Sequence, residues 1–161
     1  MKSLAGNITD IILETFRLNG ELLTSGDRLM DDLSLTSARW QVLGAIAMSS
    51  APLPVVQIAR NMGLSRQSVQ RLVNEMTAQE LTVFEANPHH RRAKLVVMTL
   101  KGQAVFDTAM DRQRPWADGL AEGLTEEELD GVFKVLRNLR LKLQTQNDLK
   151  ITEDQHVEEF A

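Results

Sequence analysis

No cysteine occurs anywhere in the 161 residues, which excludes a disulfide framework, a thiolate metal site and a thiol redox sensor. No run of about 18 apolar residues is present to span a bilayer. The opening MKSLAGNITD lacks the apolar stretch of a secretory signal. The expectation is a cytoplasmic protein with no membrane partner. Enzyme signatures are also missing: there is no glycine-rich phosphate loop, no Gly-x-Ser-x-Gly elbow, no His-Glu-x-x-His pair and no acid pair in a defined setting. Glu126, Glu127 and Glu128 are accounted for by a helix N-terminus, where negative charge is favoured. His89 and His90 are neighbours in a loop, distant from His156, and nothing completes a ligand set around them. Neither a metal nor another cofactor is expected, and the chain is read as a non-enzyme.

What is present fits one ordinary domain with enough interior for a real core. The net charge of −4 alone argues against a nucleic-acid partner. Its distribution argues the other way. Residues 60–101 hold seven bases (Arg60, Arg66, Arg71, Arg91, Arg92, Lys94, Lys101) against three acids (Glu75, Glu80, Glu85), which leaves an excess of eight negative charges on the rest. An acidic body with one basic segment suits a protein that touches a polyanion through that segment.

Within the basic segment, residues 55–80 (VVQIARNMGLSRQSVQRLVNEMTAQE) read as a helix-turn-helix. Ile58, Ala59, Met62, Gly63, Leu64, Val69 and Leu72 fall where two short packed helices need apolar or small residues. Ala59 permits close approach, Gly63 supplies the positive φ of the turn, and Ser65 suits the N-cap of the second helix. Val69, Leu72, Val73 and Met76 form the inward face of that helix, leaving Arg66, Gln67, Gln70, Arg71 and Asn74 outward. The β-rich runs 81–86 and 95–99 follow, joined by the polar turn Asn87-Pro88-His89-His90-Arg91-Arg92. A hairpin in this place is a wing, tipped by Arg91 and Arg92 with Lys94 just inside.

Helices are expected on both sides. Residues 8–31 carry Ile8, Ile11, Ile12, Phe16, Leu22, Leu23 and Leu29 at mostly helical spacing, with Gly20 and Gly26 as weak points. Residues 33–50 start another helix, with Thr36 as N-cap and Leu35, Trp40, Leu43 and Ile46 inward. Pro52 and Pro54 separate it from the motif, Pro54 in a first turn. Thr99 caps a further helix in which Gly102 allows close packing and Pro115 is a kink or break. Thr125-x-x-Glu128 opens the last helix with a capping box, and Leu129, Val132, Phe133, Leu136, Leu139 and Leu143 form its apolar stripe. The chain thus divides into an N-terminal dimerisation helix (1–32), a winged helix-turn-helix (33–100), C-terminal dimerisation helices (101–147) and an acidic tail (148–161), expected to be loose or partner-dependent. The fold class is mainly α with a small β-hairpin wing. Because the motif and wing form a small core of their own, the long apolar helices need other cover. A second copy of the chain is the economical answer, giving an intertwined two-fold homodimer.

The segments LTSARWQVLGAIA, IARNMGLSRQSVQRLVNEM and NPHHRRAKLVVMTLKG resemble three successive signatures of the MarR family of winged-helix transcriptional regulators. The resemblance runs from about residue 33 to 102, and the flanking helices fit the family's dimerisation elements by position and pattern. It implies a homodimer that binds pseudo-palindromic double-stranded operator DNA, commonly as a repressor released by a small-molecule effector. It also implies that Ser65, Gln67, Ser68, Gln70 and Arg71 contact groove or phosphate and that Arg92 is the wing arginine. The family usually has an aspartate two residues before that arginine, bracing the wing, and here the position is His90.

The residues read alone agree with this. Arg and Gln on a helix make paired hydrogen bonds to guanine and adenine edges in the major groove. Arg66 near the helix start suits a phosphate, and arginine at a hairpin tip suits a narrow A·T-rich minor groove. For each polar residue the plain alternative is a solvated surface. Trp40 is a candidate ligand contact, since family pockets often lie between the dimer helices and the DNA-binding lobe, but it also sits on the apolar face with Leu43. The methionines are read as gap-fillers. Two other readings stay open: a winged-helix adaptor that binds protein and no DNA, and a DNA-binding regulator without an effector.

Overall fold

The computed structural model describes residues 3–158, with side chains described as far as residue 147. The chain divides after Trp116 into two compact units. In the first, helix α1 (Leu4–Leu29) is capped by Ser3, whose hydroxyl accepts from the Gly6 amide. It runs unbroken through Gly20 and Gly26, the expected weak points. A single 3₁₀ turn (Asp31–Leu33) leads to α2 (Ser37–Ala47), which has Thr36 as its N-cap. The junction is tightly tied. Asp27 Oδ1 accepts from the Ser37 amide at 2.6 Å, and the Ser37 hydroxyl donates to the Leu23 carbonyl at 2.8 Å. An added Cβ on Gly26 would overlap the Ser37 hydroxyl, so glycine lets α1 meet α2 there. Trp40 is half-buried and packs against the core.

Next come β1 (Leu53–Pro54), α3 (Val55–Met62) and α4 (Arg66–Ala78). The expected two-stranded wing is part of a three-stranded antiparallel sheet. Strands β2 (Thr82–Glu85) and β3 (Leu95–Met98) pair from Thr82↔Met98 to Glu85↔Leu95, and β1 adds to the other edge of β3 through Leu53↔Val96 and Pro54↔Leu95. Pro54 therefore precedes α3 as its N-cap in extended conformation, outside the first turn. It lies in an edge strand, where a missing N–H is tolerated. Thr99 then caps α5 (Leu100–Ala121), accepting from the Gly102 amide at 2.9 Å. Of the two outcomes expected at Pro115, a kink or a break, the break does not occur, and α5 continues through it. Proline forfeits one backbone hydrogen bond, and those on either side carry the helix across.

One core serves these elements. Met30, Leu35, Val42, Leu43, Val55, Ile58, Ala59, Val69, Val73, Met76, Leu81, Val96 and Ala109 are buried together, with α2 packed on both α3 and α4. Each large aliphatic side chain so buried stabilises by about 1.5–3 kcal/mol relative to exposure. Ion pairs tie the periphery. Arg39 of α2 donates to Glu75 of α4 at 2.8 Å, and Arg112 of α5 clasps Asp32 with both terminal nitrogens. The hydrogen bonds from Arg112 hold the Asp32 carboxyl below its ordinary range.

The second unit contains α6 (Glu126–Glu158). Its capping box forms as expected: the Glu128 amide donates to Thr125 Oγ1 at 3.2 Å, and the Thr125 amide donates to Glu128 Oε2 at 2.8 Å. Those contacts hold the Glu128 carboxyl below the usual range. The helix also continues into the stretch read as a loose acidic tail. Residues 148–158 contain no glycine or proline to stop it. Residues 159–161 and the His156 side chain lie outside the description.

Gly102 marks the closest approach in the first unit. A Cβ there would collide with the Leu81 carbonyl and come within 2.8 Å of Met98 Cγ. Gly102→Ala is expected to destabilise the protein by roughly 1–3 kcal/mol through overpacking, read as a lowered thermal midpoint. An unchanged midpoint would show that α5 does not need this contact.

Candidate nucleic-acid interface

The turn between α3 and α4 is built as its sequence requires. Gly63 adopts φ +66°, its amide reaching the Arg60 carbonyl at 3.3 Å and the Leu64 amide reaching that of Ala59 at 3.0 Å. This closes α3 with a left-handed cap. Leu64, expected inward, is exposed: it lies beyond the cap, where its backbone closes the helix and its side chain faces away from the core. Ser65 Oγ accepts from the Ser68 amide at 3.1 Å and lies 2.8 Å from Ser68 Oγ. These two serines thus set the start of α4 and present their hydroxyls as a pair.

Behind α4, Val69, Val73 and Met76 are wholly buried. On its other side Arg66, Gln67 and Arg71 are exposed, while Gln70 is half-buried and donates to Asn74 Oδ1 at 2.9 Å. Glu75 is shared: Arg39 holds it from below, and Arg71 lies 4.0 Å away in a weak, exposed pairing. The outward face can therefore offer amide and guanidinium donors at little desolvation cost.

The wing adds the remaining groups. Arg66 and Gln70 of α4, together with His90, Arg92 and Lys94 of the wing, line one open groove of about 590 Å³. Pro54, Val55, Val56, Phe84 and Ala93 complete its lining, which contains no acid. Arg66, Arg91, Arg92 and Lys94 make no side-chain hydrogen bond or ion pair among the described residues. Arg17, Arg39, Lys101 and Arg112, by contrast, are each paired with a carboxylate. The sequence-expected set is thus partly assembled: Arg66, Gln70, Arg92 and Lys94 converge on the groove, Ser65, Gln67, Ser68 and Arg71 extend along α4 outside it, and Arg91 stands on the wing. One contributor, Asn87, escaped the reading of the sequence as a site residue, and another, His90, was singled out there only as standing in place of the family's wing aspartate. His90 joins the groove lining, and Asn87 organises the loop through contacts that span six residues. Its composition as an asparagine before proline was the available signal.

A helix-turn-helix followed by a wing is the winged-helix architecture, and here cations without partners among the described residues stand on both. The MarR family profile matches residues 33–93. An uncharacterized protein of Mycobacterium tuberculosis strain H37Rv is 30% identical over 143 residues, covering 89% of this chain and 99% of the relative. This chain belongs to the MarR family. The transcriptional activatory protein BadR of Rhodopseudomonas palustris is 29% identical over 85 residues, or 52% of this chain and 49% of BadR. Among solved structures, CouR from Rhodococcus jostii RHA1 bound to p-coumaroyl-CoA superposes with a TM-score of 0.73 at 21% identity, covering 87% of this chain and 96% of CouR.

Arg92→Ala is expected to weaken binding to duplex DNA and to flatten the plot of log K against log salt by about 0.9, one phosphate's worth of released counterion. Unchanged affinity and slope in a salt titration would remove Arg92 from the interface.

Proposed function

We propose that the protein is a homodimeric repressor that binds pseudo-palindromic operator DNA, with α4 in the major groove and the wing at the adjacent minor groove. The observation that carries this reading is the acid-free groove in which Arg66, Gln70, His90, Arg92 and Lys94 meet. Gln67, Gln70 and Arg71 are suited to base edges by their paired hydrogen-bonding groups. Ser65, Arg66, Ser68, Arg91, Arg92 and Lys94 act mainly on phosphates and groove potential, which set affinity and register. Occupancy of an operator blocks a promoter where the two overlap.

Dimerisation is assigned to α1 and α6. Phe16 is 70% exposed on α1 with Leu13 and Ile12 beside it, and Phe133 is 63% exposed on α6 with Val132 and Leu136 beside it. Faces of this size on one chain support cover by a second copy. Two lobes held in a two-fold dimer read half-sites about one helical turn apart, roughly 34–36 Å. A small-molecule effector releases DNA by binding more tightly to a dimer with the wrong lobe spacing, since equal affinity for both spacings shifts nothing.

Selection of genomic fragments with the purified protein, followed by titration at several salt concentrations, tests the reading. A shared palindrome bound with a steep salt slope is expected. Recovery of no common sequence, with only weak binding at low salt, would instead favour a protein-binding adaptor. Replacing Phe133 and Leu136 together by aspartate is expected to convert the dimer to monomer in sedimentation. An intact dimer would place the interface elsewhere.

A further inference from the structure

The wing loop spans residues 86–94, a long connection for strands whose last backbone pair is Glu85↔Leu95. Extending that register sets residue 87 opposite residue 93, yet the ladder stops short of them. Pro88 follows immediately and has no N–H to offer. The side chain of Asn87 takes over. Its Nδ2 donates across the loop to the Ala93 carbonyl at 2.9 Å, while its Oδ1 accepts from the His89 amide, also at 2.9 Å. The backbone closes around it: the His90 amide donates to the Asn87 carbonyl at 3.3 Å and the Ala93 amide to the His90 carbonyl at 3.0 Å. Asn87 is half-buried, and its bond to Ala93 is partly shielded from competing water, while the bond from the His89 amide is exposed.

We infer that Asn87 is the positioning residue of the wing, bridging the two sides of the loop so that Arg92 and Lys94, which flank its acceptor Ala93, face the groove shared with Arg66. This rests on the DNA-binding reading and deepens it. The imidazole of His90 makes no hydrogen bond among the described residues and cannot supply the brace. The chemistry selects asparagine. One short side chain must accept from an amide and donate to a carbonyl on the far side of the loop at once, and a carboxamide carries the acceptor and the donor on two separate atoms that can point apart. Aspartate keeps the acceptor but sets a carboxylate against the Ala93 carbonyl. Serine retains the local turn to His89 and falls short of Ala93.

The test is a double-mutant cycle between Asn87→Ala and Arg92→Ala, read as affinity for an operator fragment recovered by selection, with amide hydrogen exchange of the DNA-free protein alongside. N87A is expected to weaken binding by about two- to tenfold in the wild-type background and by clearly less in the R92A background, because it acts through the pose of Arg92. In the free protein its His89 amide exchanges faster, while the core amides are unchanged. N87S, which keeps the turn and loses the bridge, is expected to show the same coupling to R92A and serves if N87A does not fold. Additive penalties, or unaltered affinity for N87A where R92A weakens binding, would overturn the inference and leave the DNA-binding reading intact. Unaltered His89 exchange in N87A would show that the Asn87 side chain does not hold the loop in solution and would likewise overturn the inference. A wild-type protein that binds no DNA would refute the functional reading and the positioning role together, with His89 exchange still reporting separately on the bond between that amide and the Asn87 side chain.

Discussion

Helix α4 can turn a polar face outward because its opposite face has nowhere else to go. Val69, Val73 and Met76 are at 0% exposure, wedged among Ile58 and Ala59 of α3 and Val42 and Leu43 of α2. Rotating α4 about its axis would expose those side chains and bury Arg66 or Arg71, at several kcal/mol for each uncompensated polar group. The packing thereby orients the helix, and the left-handed cap at Gly63 sets the angle at which α3 delivers it. Strand β2 starts where α4 ends, through Glu80 at positive φ and the Leu81 amide bonded to the Met76 carbonyl at 2.9 Å. The wing's position is inherited from the same buried face.

Charge is arranged on top of that scaffold. The chain is acidic overall, and several of its bases, such as Arg39, Lys101 and Arg112, are matched with carboxylates, while among the described residues the groove-lining Arg66, Arg92 and Lys94 are not. A concave surface lined by cations without counter-charges concentrates positive potential and favours a polyanion despite the net charge of the whole. Arg39 also steadies this surface. By bonding Glu75 at 2.8 Å, it draws to itself the carboxylate that lies 4.0 Å from Arg71.

Much of this was legible beforehand because it depends on neighbours in sequence. Thr36, Ser65, Thr99 and Thr125 were readable as caps, since a hydroxyl reaches an amide two or three residues on regardless of the remaining chain. The inward face of α4 followed from helical spacing. Failures came where the partner is distant or the local preference was weak. The strand β1 is two residues long and exists only because β3 offers an open edge. The break allowed for at Pro115 and the loose backbone allowed for beyond residue 147 are both replaced by continuing helix, since flanking turns override a weak local tendency. Leu64 was apolar enough to seem buried, but a residue just past a left-handed cap points where the turn sends it.

By itself, then, the sequence determined the helix-turn-helix, its caps, the identity of its outward side chains and the presence of a basic wing, all of them consequences of periodicity and of short-range hydrogen bonding. Only the tertiary structure decided which cations share a groove, that His90 joins them, and that Asn87 bridges the loop to Ala93. Those outcomes depend on strand register and on how a nine-residue loop folds back upon itself, and no local propensity encodes either.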